Sequence, residues 1–179
     1  IEGCEILDNT SVPEVSRFYV TGTATIAYST IVETTVSSDL FWVWGGSSFK
    51  LFSSIVQADH TFHAPAVAAN IDCVITKEQA SFPAGGIFVT TVTDPTLIFQ
   101  NAAAGDYRLR RGSVAEDYCD NSVYSPTDGD LDNQTRGWDD PVQANWIGAF
   151  DIGADEWRLD LFADGFEAGN ALRWSSETP

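Results

Sequence analysis

The chain has 179 residues, a formal net charge of −17 and 44% hydrophobic residues, which is enough apolar sequence for one folded domain. So acidic a chain is repelled by nucleic-acid backbones and by anionic lipid surfaces. It also lacks an apolar run of about 20 residues, the length that a membrane-spanning helix needs. These properties argue against nucleic-acid binding and membrane insertion.

The beginning of the chain suggests a processed polypeptide. There is no Met anywhere in the sequence, and residues 1–7 are strand-like rather than a charged and apolar signal segment. We therefore expect the partner of this chain to be an upstream part of the same polypeptide or another copy of the chain.

Residues 1–90 have the composition of β-structure. Good helix formers never recur with a 3.6-residue period over a long stretch, whereas short stretches rich in β-branched and aromatic residues are separated by Gly, Asn, Asp and Ser. The clearest of these stretches are residues 17–20, 24–28, 40–44 and 49–52. The sequence therefore predicts an all-β fold.

A repeat within these residues predicts a solenoid. A five-residue pattern of two small or polar residues, two aliphatic residues and one polar residue recurs at offsets of 25, 24 and 19; its copies are residues 4–8, 29–33, 53–57 and 72–76. Stacking of the copies would form an aliphatic ladder of Ile6, Ile31, Ile55 and Val74. A second ladder on the same face would consist of Cys4, Ser29, Ser53 and Asp72. We expect parallel β-helix coils over 1–90, with a sandwich of ordinary hairpins as the alternative.

Aromatic side chains in the coil region are candidates for ligand binding. Trp42, Trp44 and Phe49 alternate with smaller residues, so one side of the alternation would face water and could stack on sugar rings. The alternative is that these rings fill the coil core. His60 and His63 are three residues apart in a predicted loop, a spacing that is weak evidence for a metal site.

With Asp94-Pro95, Gly105-Asp106-Tyr107 and Asp151-Ile152-Gly153-Ala154, the second half of the chain resembles the closing segment of bacterial right-handed parallel β-helix proteins of the choice-of-anchor type. The matching motifs are D-P-x-F-like, G-D-Y/F-x-L-x-x-G-S-P-A-I-D, D-x-D-G-x-x-R and D-I-G-A-x-E; they correspond to residues 94–99, 105–117, 130–136 and 151–156. Val114 replaces the usual Pro, and Asn133 stands where Gly is typical. The resemblance implies a right-handed β-helix whose last coil and loop-rich C-terminal cap occupy 91–157.

The last segment, 158–179, resembles the D-G-F-E-x-G tail with a following W-S that many secreted bacterial proteins carry at the C-terminus. We expect this tail to pack on the cap. Together with the acidic composition and the absence of Met, which makes the chain resistant to oxidation, the two resemblances imply a secreted or cell-surface location.

An acidic loop in the cap is a candidate calcium site. Asp128, Asp130 and Asp132 alternate along a Gly-bearing loop, and Asp139 follows shortly afterwards. Ca²⁺ takes six to eight oxygen ligands, which alternating Asp residues can supply. The alternative is a solvated turn in which Asp130 or Asp132 pairs with Arg136.

No recognisable catalytic motif accompanies these acids. The sequence lacks a Gly-x-Ser-x-Gly elbow, a phosphate loop, and the N-T-D, G-H-G and R-x-K arrangements of polygalacturonase-type hydrolases. We therefore favour a non-catalytic structural or adhesive role, with extracellular glycans as candidate ligands. The alternative is a fragment of an extracellular polysaccharide-active enzyme, a lyase or a glycoside hydrolase, and a third interpretation is a fibre subunit.

Two further expectations concern the cysteines and the first coil. If a disulfide forms among the three cysteines, Cys73 and Cys119 are the expected pair, because Cys4 lies at the start of the chain. The first coil, headed by Ile6, would present an open edge that templates strand addition. Another copy stacked head to tail on this edge would generate a filament.

Overall fold

The protein is described here by a computed structural model. It describes residues 1–7, 18–33, 39–59, 61–63, 69–79, 82, 86–122, 124–127 and 129–158. Within these ranges the chain is all-β, with no α-helix and only two short 3-10 turns, Pro95–Leu97 and Ala102–Ala104. The same residues include no helix that is long and apolar enough to cross a membrane.

The largest element is a parallel sheet of six strands. Its strands are β1 (Glu5–Leu7), β3 (Thr23–Ala27), β4 (Thr30–Val32), β6 (Ser48–Gln57), β7 (Ala69–Thr76) and β8 (Ile87–Thr91). The hydrogen-bonded order is β1-β4-β6-β7-β8, and β3 pairs with the first half of β6. All of these pairings are parallel, so the segments between successive strands must cross over rather than form hairpins.

Two smaller sheets accompany it. β2 (Phe18–Val20) and β5 (Phe41–Val43) form a parallel pair, and a parallel bridge joins Phe41 to Phe62 on its other side. Later in the chain, β9 (Phe99–Asn101) and β10 (Asp106–Leu109) form an antiparallel pair.

The first core lies between the β2–β5 pair and the large sheet. Phe41 is fully buried at its centre, with ring centroids 5.0 Å from Phe18, 4.8 Å from Phe49 and 5.1 Å from Phe62. Aliphatic side chains from the large sheet complete the cluster, among them Leu51 and Val56. This burial of aromatic and aliphatic area is what holds the two sheets together.

The large sheet bends along one row of residues that lie opposite one another, one each from β6, β7, β8 and the link between β3 and β4; we call this row a rung. Tyr28, Ser53, Cys73 and Phe88 have φ of 44°, 45°, 55° and 51°, in the left-handed region that side chains other than glycine rarely adopt. Pairs on either side of the rung keep the same register, as in Ala27 with Phe52 and Thr30 with Ile55, so these residues lie opposite one another. Strain at one position is therefore repeated across the sheet, where neighbouring ladder hydrogen bonds hold it in place.

The pairing register agrees with the sequence analysis between β1 and β4 and differs between the later strands. Ile6 pairs with Ile31 as expected, but Ile31 pairs with Val56 and Ile55 pairs with Ile75. The predicted partners, Ile55 and Val74, were each wrong by one residue. The expected polar ladder shifts in the same way, because Ser54 rather than Ser53 lies beside Ser29 and accepts a hydrogen bond from its backbone N–H at 3.2 Å.

The remaining described residues, 92–122, 124–127 and 129–158, form a layer of loops on the opposite face of the large sheet; we call them the loop layer. Backbone N–H groups of Gly153 and Ala154 donate to the Ser53 carbonyl and the Thr30 hydroxyl at 2.9 and 3.0 Å. Gly153, at φ 103°, fits only because it has no side chain: an added Cβ would lie 2.7 Å from Ile55 Cδ1. These contacts lie on the face of central strands, whereas the sequence predicts a cap over the end of a coil.

A disulfide joins the loop layer to the sheet. It links Cys73 of β7 to Cys119 and confirms the expected pair, while Cys4 is free and exposed. Both bonded cysteines belong to a second core, which lies between the large sheet and the loop layer. The bond therefore lies among apolar side chains such as Ile75 and Ile152. The predicted tail lies outside the described residues from 159 onward.

Candidate functional site: an exposed aromatic strip

Three aromatic side chains line up on the outer face of the β2–β5 pair. Strand alternation directs Phe18 and Phe41 into the core, so their neighbours Tyr19 and Trp42 point outward. Tyr19 pairs in register with Trp42, and His63 follows the residue that bridges to Phe41. We call Tyr19, Trp42 and His63, together with Trp44, the aromatic strip.

The rings of the strip stack along the direction in which the strands are stacked. The Trp42 ring lies 5.6 Å from Tyr19 with an interplanar angle of 20°, and 3.8 Å from His63 with an angle of 8°. Its two neighbours belong to different strands on either side of β5, so they cover opposite faces of the indole. Trp42 is therefore an internal member of the stack rather than a free platform.

Trp44 and Tyr19 supply the accessible part of the strip. They are 53% and 55% exposed, and their rings meet edge to face at 6.4 Å. The backbone N–H of Trp44 donates to the Val20 carbonyl at 3.0 Å, and this bond holds the Trp44 backbone beside β2. A half-exposed ring that is held in place by an edge-to-face contact suits the stacking of an apolar ligand surface, such as the C–H face of a sugar.

A carboxylate ends the strip on its other side. His63 Nδ1 lies 2.6 Å from Asp39 Oδ2, and both side chains are partly exposed. The pair orients the imidazole against Trp42 and places polar atoms beside the aromatic surface. His60, the other predicted histidine, lies outside the described residues.

The three predicted ligand-binding residues thus lie in different environments. Trp44 is exposed, Trp42 is stacked between two rings, and Phe49 is fully buried against Phe41 and Phe62. The prediction for Phe49 was wrong, because Phe49 points into the core and Lys50 takes the outward position beside it. The sequence analysis missed Tyr19 and gave no ligand role to His63. The signal for Tyr19 was present in the triplets Phe18–Val20 and Phe41–Val43, which align at an offset of 23.

Three of the four predicted calcium residues, Asp130, Asp132 and Asp139, lie within the described part of the chain. Asp130 is buried, and its Oδ1 accepts hydrogen bonds from the backbone N–H groups of Asp132 and Gln134, at 3.1 and 2.6 Å. Asp132 and Asp139 are exposed, and Asp128 lies outside the described residues. Within the described ranges, no group of three or more acidic, His or Cys side chains is arranged to hold a metal ion.

Asp130 belongs instead to a network of buried carboxyl groups that accept backbone N–H bonds within the loop layer. Asp151 accepts from Asp117 at 2.7 Å and from Trp157 at 2.6 Å. Other members make similar bonds: Asp155 with Leu109, and Glu156 with Gly137 and Trp138. We call Asp130, Asp151, Asp155 and Glu156 the carboxyl network; its role as an acceptor of loop N–H groups was not predicted from the sequence.

Burial raises the pKa of three carboxyl groups of this network, those of Asp151, Asp155 and Glu156. It raises the pKa of Asp151 to about 9, of Glu156 to about 7 and of Asp155 to about 6, although the backbone N–H bonds oppose the shift. Desolvation likewise raises the pKa of the neighbouring Glu116 to about 7 and of Asp117 to about 6. Four of the described carboxyl groups in the loop layer, those of Glu116, Asp117, Asp155 and Glu156, therefore have pKa values near neutral pH.

One cation is buried beside the network. Arg136 donates from Nη2 to the Ala154 carbonyl at 2.6 Å, and its guanidinium carbon lies 4.8 Å from the centre of the Tyr28 ring. Burial lowers its pKa, while the charges of Glu156 and Asp130 oppose that effect. Arg136 thus offsets part of the negative charge of the network and ties it to the sheet.

Comparisons of the chain with models of protein families, with curated proteins and with solved structures gave no match. The geometry described above is therefore the basis for the functional proposals that follow.

Proposed function

We propose that the chain is the right-handed parallel β-helix region of a secreted or cell-surface bacterial protein, and that it acts as a structural and adhesive element rather than as an enzyme. In this proposal the aromatic strip binds extracellular glycans. The observation that carries the proposal is the exposure of Trp44 and Tyr19 at the end of a stacked row of rings.

The order of the strands supports the β-helix. The chain passes from β2 to β3 and β4, then from β5 to β6, and then from Phe62 to β7, so it alternates between the two sheets. Each passage would be one coil, with paired residues 25 positions apart between β4 and β6 and 20 apart between β6 and β7. Parallel crossovers are right-handed in nearly all proteins, which gives the proposed hand.

The disulfide supports an oxidising location. Disulfides persist in secreted and surface proteins and are rare in the bacterial cytosol. The bond between Cys73 and Cys119 is buried between the loop layer and the sheet, as expected of a structural rather than a redox-active bond. A strongly negative formal net charge, −17, would also favour solubility outside the cell.

Glycan binding is tested by retention on insoluble cellulose, chitin and xylan. We expect the wild-type chain to be retained on at least one of them and Trp44→Ala to lose most of that retention, because stacking of a sugar ring contributes about 1 kcal/mol or more. Trp146→Ala is the matched control, since Trp146 is 71% exposed in the loop layer, far from β5 in the sequence. Equal loss in both variants would contradict the assignment to the strip.

The alternative function, a polysaccharide-degrading enzyme, is decided on the same samples. Release of soluble oligosaccharides from these polymers, or from pectin and alginate as acidic substrates, would replace the adhesive proposal with a lyase or hydrolase. Retention without release supports adhesion.

We also propose that copies of the chain associate head to tail through β1. Among the described residues, β1 pairs on one side only, with β4, and β8 occupies the opposite edge of the same parallel sheet. A strand at an open edge is a template for pairing with another chain. Light scattering should show association that weakens in both Ile6→Pro and Ile87→Pro, because head-to-tail stacking pairs β1 of one copy with β8 of the next. A strict monomer at high concentration would contradict the proposal.

A further inference from the structure

A second surface feature, separate from the aromatic strip, lies in the loop layer. It is a cavity of about 460 Å3, open to solvent, between residues 121 and 125–127 on one side and residues 129 and 133–136 on the other. We call it the loop cavity. Its volume lies in the range of small-molecule sites, about 300 to 1,000 Å3, and would accommodate one or two sugar rings.

The chemistry of the lining is unusual for so acidic a chain. Among its described residues the loop cavity has three side-chain amides, from Asn121, Asn133 and Gln134, and no carboxylate. Hydroxyl groups of Ser125, Thr127 and Thr135 complete the polar lining. In a chain with a net charge of −17, the described lining thus offers hydrogen-bonding groups without a carboxylate of its own, and Arg136 is its charged residue.

The amides have unused hydrogen-bonding capacity and a fixed backbone. Within the described part of the chain, none of the three amide groups makes a side-chain hydrogen bond. The turn that carries two of them is held by Asp130, whose carbonyl accepts from Asn133 N at 3.0 Å and whose Oδ1 accepts from Gln134 N at 2.6 Å. An amide presents a donor and an acceptor side by side, the pattern that pairs with adjacent hydroxyl groups.

An aromatic ring supplies an apolar wall. Phe150 lines the cavity and packs so closely on Gly137 that an added Cβ would lie 2.8 Å from its ring. The ring also contacts Tyr28, with centroids 6.4 Å apart. A wall held in this way from behind can receive the C–H groups of a sugar without rearranging.

The positive charge at the wall is already compensated. Arg136 lines the cavity, but its guanidinium lies over the Tyr28 ring, donates to the Ala154 carbonyl and is attracted by the buried carboxyl groups of Glu156 and Asp130. Its Nε and Nη1 atoms are buried and make no hydrogen bond with the described residues. The site is therefore suited to a neutral ligand rather than to an anion.

We propose that the loop cavity is a binding site for a neutral, polyhydroxylated ligand, a sugar residue or the end of a short glycan. The proposal does not depend on the aromatic strip, since the two features share no residue. Asn121 and Gln134 recognise ring hydroxyls, and Phe150 contacts the apolar face of the ring.

The test is saturation-transfer NMR on the full chain, with methyl glucoside, methyl galactoside and N-acetylglucosamine as neutral probes and glucuronate as the charged probe. We expect at least one neutral probe to bind with a dissociation constant of about 1 mM, and glucuronate to bind more weakly. The double variant Asn121→Ala with Gln134→Ala should weaken binding about tenfold or more, through two lost hydrogen bonds.

Two controls separate this site from the strip and from loss of structure. Asn70→Ala removes an exposed amide on β7 and should leave binding unchanged, whereas Trp44→Ala reports any binding of the same probes at the aromatic strip. A circular dichroism spectrum and melting temperature equal to those of the wild type show that the double variant is folded. Absence of binding by all neutral probes, preference for glucuronate, or loss of binding in Trp44→Ala but not in the double variant would each overturn the proposal.

Discussion

The parallel sheets and the loop layer are stabilised by different chemistry. The sheets are stabilised mainly by backbone hydrogen bonds between strands and by aromatic or aliphatic contacts, as around Phe41. In the loop layer, buried carboxyl groups such as Asp130 and Asp151 accept the backbone N–H groups that short, irregular segments leave without strand partners. A region without regular strands can therefore be ordered by acidic side chains, but its stability then depends on pH.

The largest expected effect comes from cutting the covalent link between the two regions. Replacing both Cys73 and Cys119 by Ser should lower the free energy of unfolding by about 4 kcal/mol, because the bond closes a loop with a sequence separation of 46. Urea denaturation followed by tryptophan fluorescence measures the change. Cys4→Ser, at an exposed free cysteine, should leave the midpoint unchanged, and an equal effect of that control would contradict the account.

A tight contact between the regions provides the next test. Gly153→Ala should destabilise the protein by about 3 kcal/mol, since the new methyl group would meet Ile55 Cδ1 at 2.7 Å and the backbone has φ of 103°. Gly22→Ala is the matched control, because nothing lies within 4 Å of the added Cβ there. If both variants melt at the same temperature, the loop layer does not pack on the sheet as described.

A smaller effect is expected from one member of the carboxyl network. Asp130→Ala leaves the N–H groups of Asp132, Gln134 and Glu156 without their acceptor and should cost about 2 kcal/mol. Asp132→Ala, at an exposed neighbour, should cost much less. The same pair addresses the calcium prediction: if added Ca²⁺ raises the melting temperature of wild type but of neither variant, these residues bind the ion.

The pH dependence of stability is the most specific of these effects. The pKa of Asp151 is raised to about 9 in the fold, so the folded state holds this proton more tightly than the unfolded chain. Its contribution to stability is complete below the unfolded pKa, near 4, and is lost as pH rises through about 9. We expect Asp151→Asn, which resembles the neutral acid, to flatten the fall in melting temperature between pH 6 and 9; an unchanged slope would contradict the role of Asp151.

The all-β class, the register of β1 with β4 and the disulfide could be predicted from the sequence, because each has a local or combinatorial signal. The later registers could not. Ile55 and Val56, like Val74 and Ile75, are adjacent aliphatic residues, and both faces of the large sheet are buried, one by the first core and one by the loop layer. A shift of one residue then exchanges two apolar faces, which hydrophobicity alone does not distinguish.

The candidate site shows the same division. Trp44 was identified from its alternation with small residues, but the burial of Phe49 depends on which strand face meets the β2–β5 pair. The carboxyl network was unpredictable for a different reason. In so acidic a chain every Asp is expected to be solvated, and only the fold reveals that Asp151 and Asp155 face backbone N–H groups.

Hydrogen exchange of individual backbone amides at pH 5 and pH 8 tests the central contrast most directly. The reporters in the loop layer are the amides of Leu109, Asp117 and Trp157, which donate to Asp155 or Asp151, and the reference amides lie in β6 and β7. After correction for intrinsic exchange rates, the account predicts that protection at the three reporters falls as pH rises, because ionising these buried carboxyl groups is unfavourable, while the reference amides stay protected. Protection that is independent of pH at the reporters, or that falls equally in both regions, would contradict it.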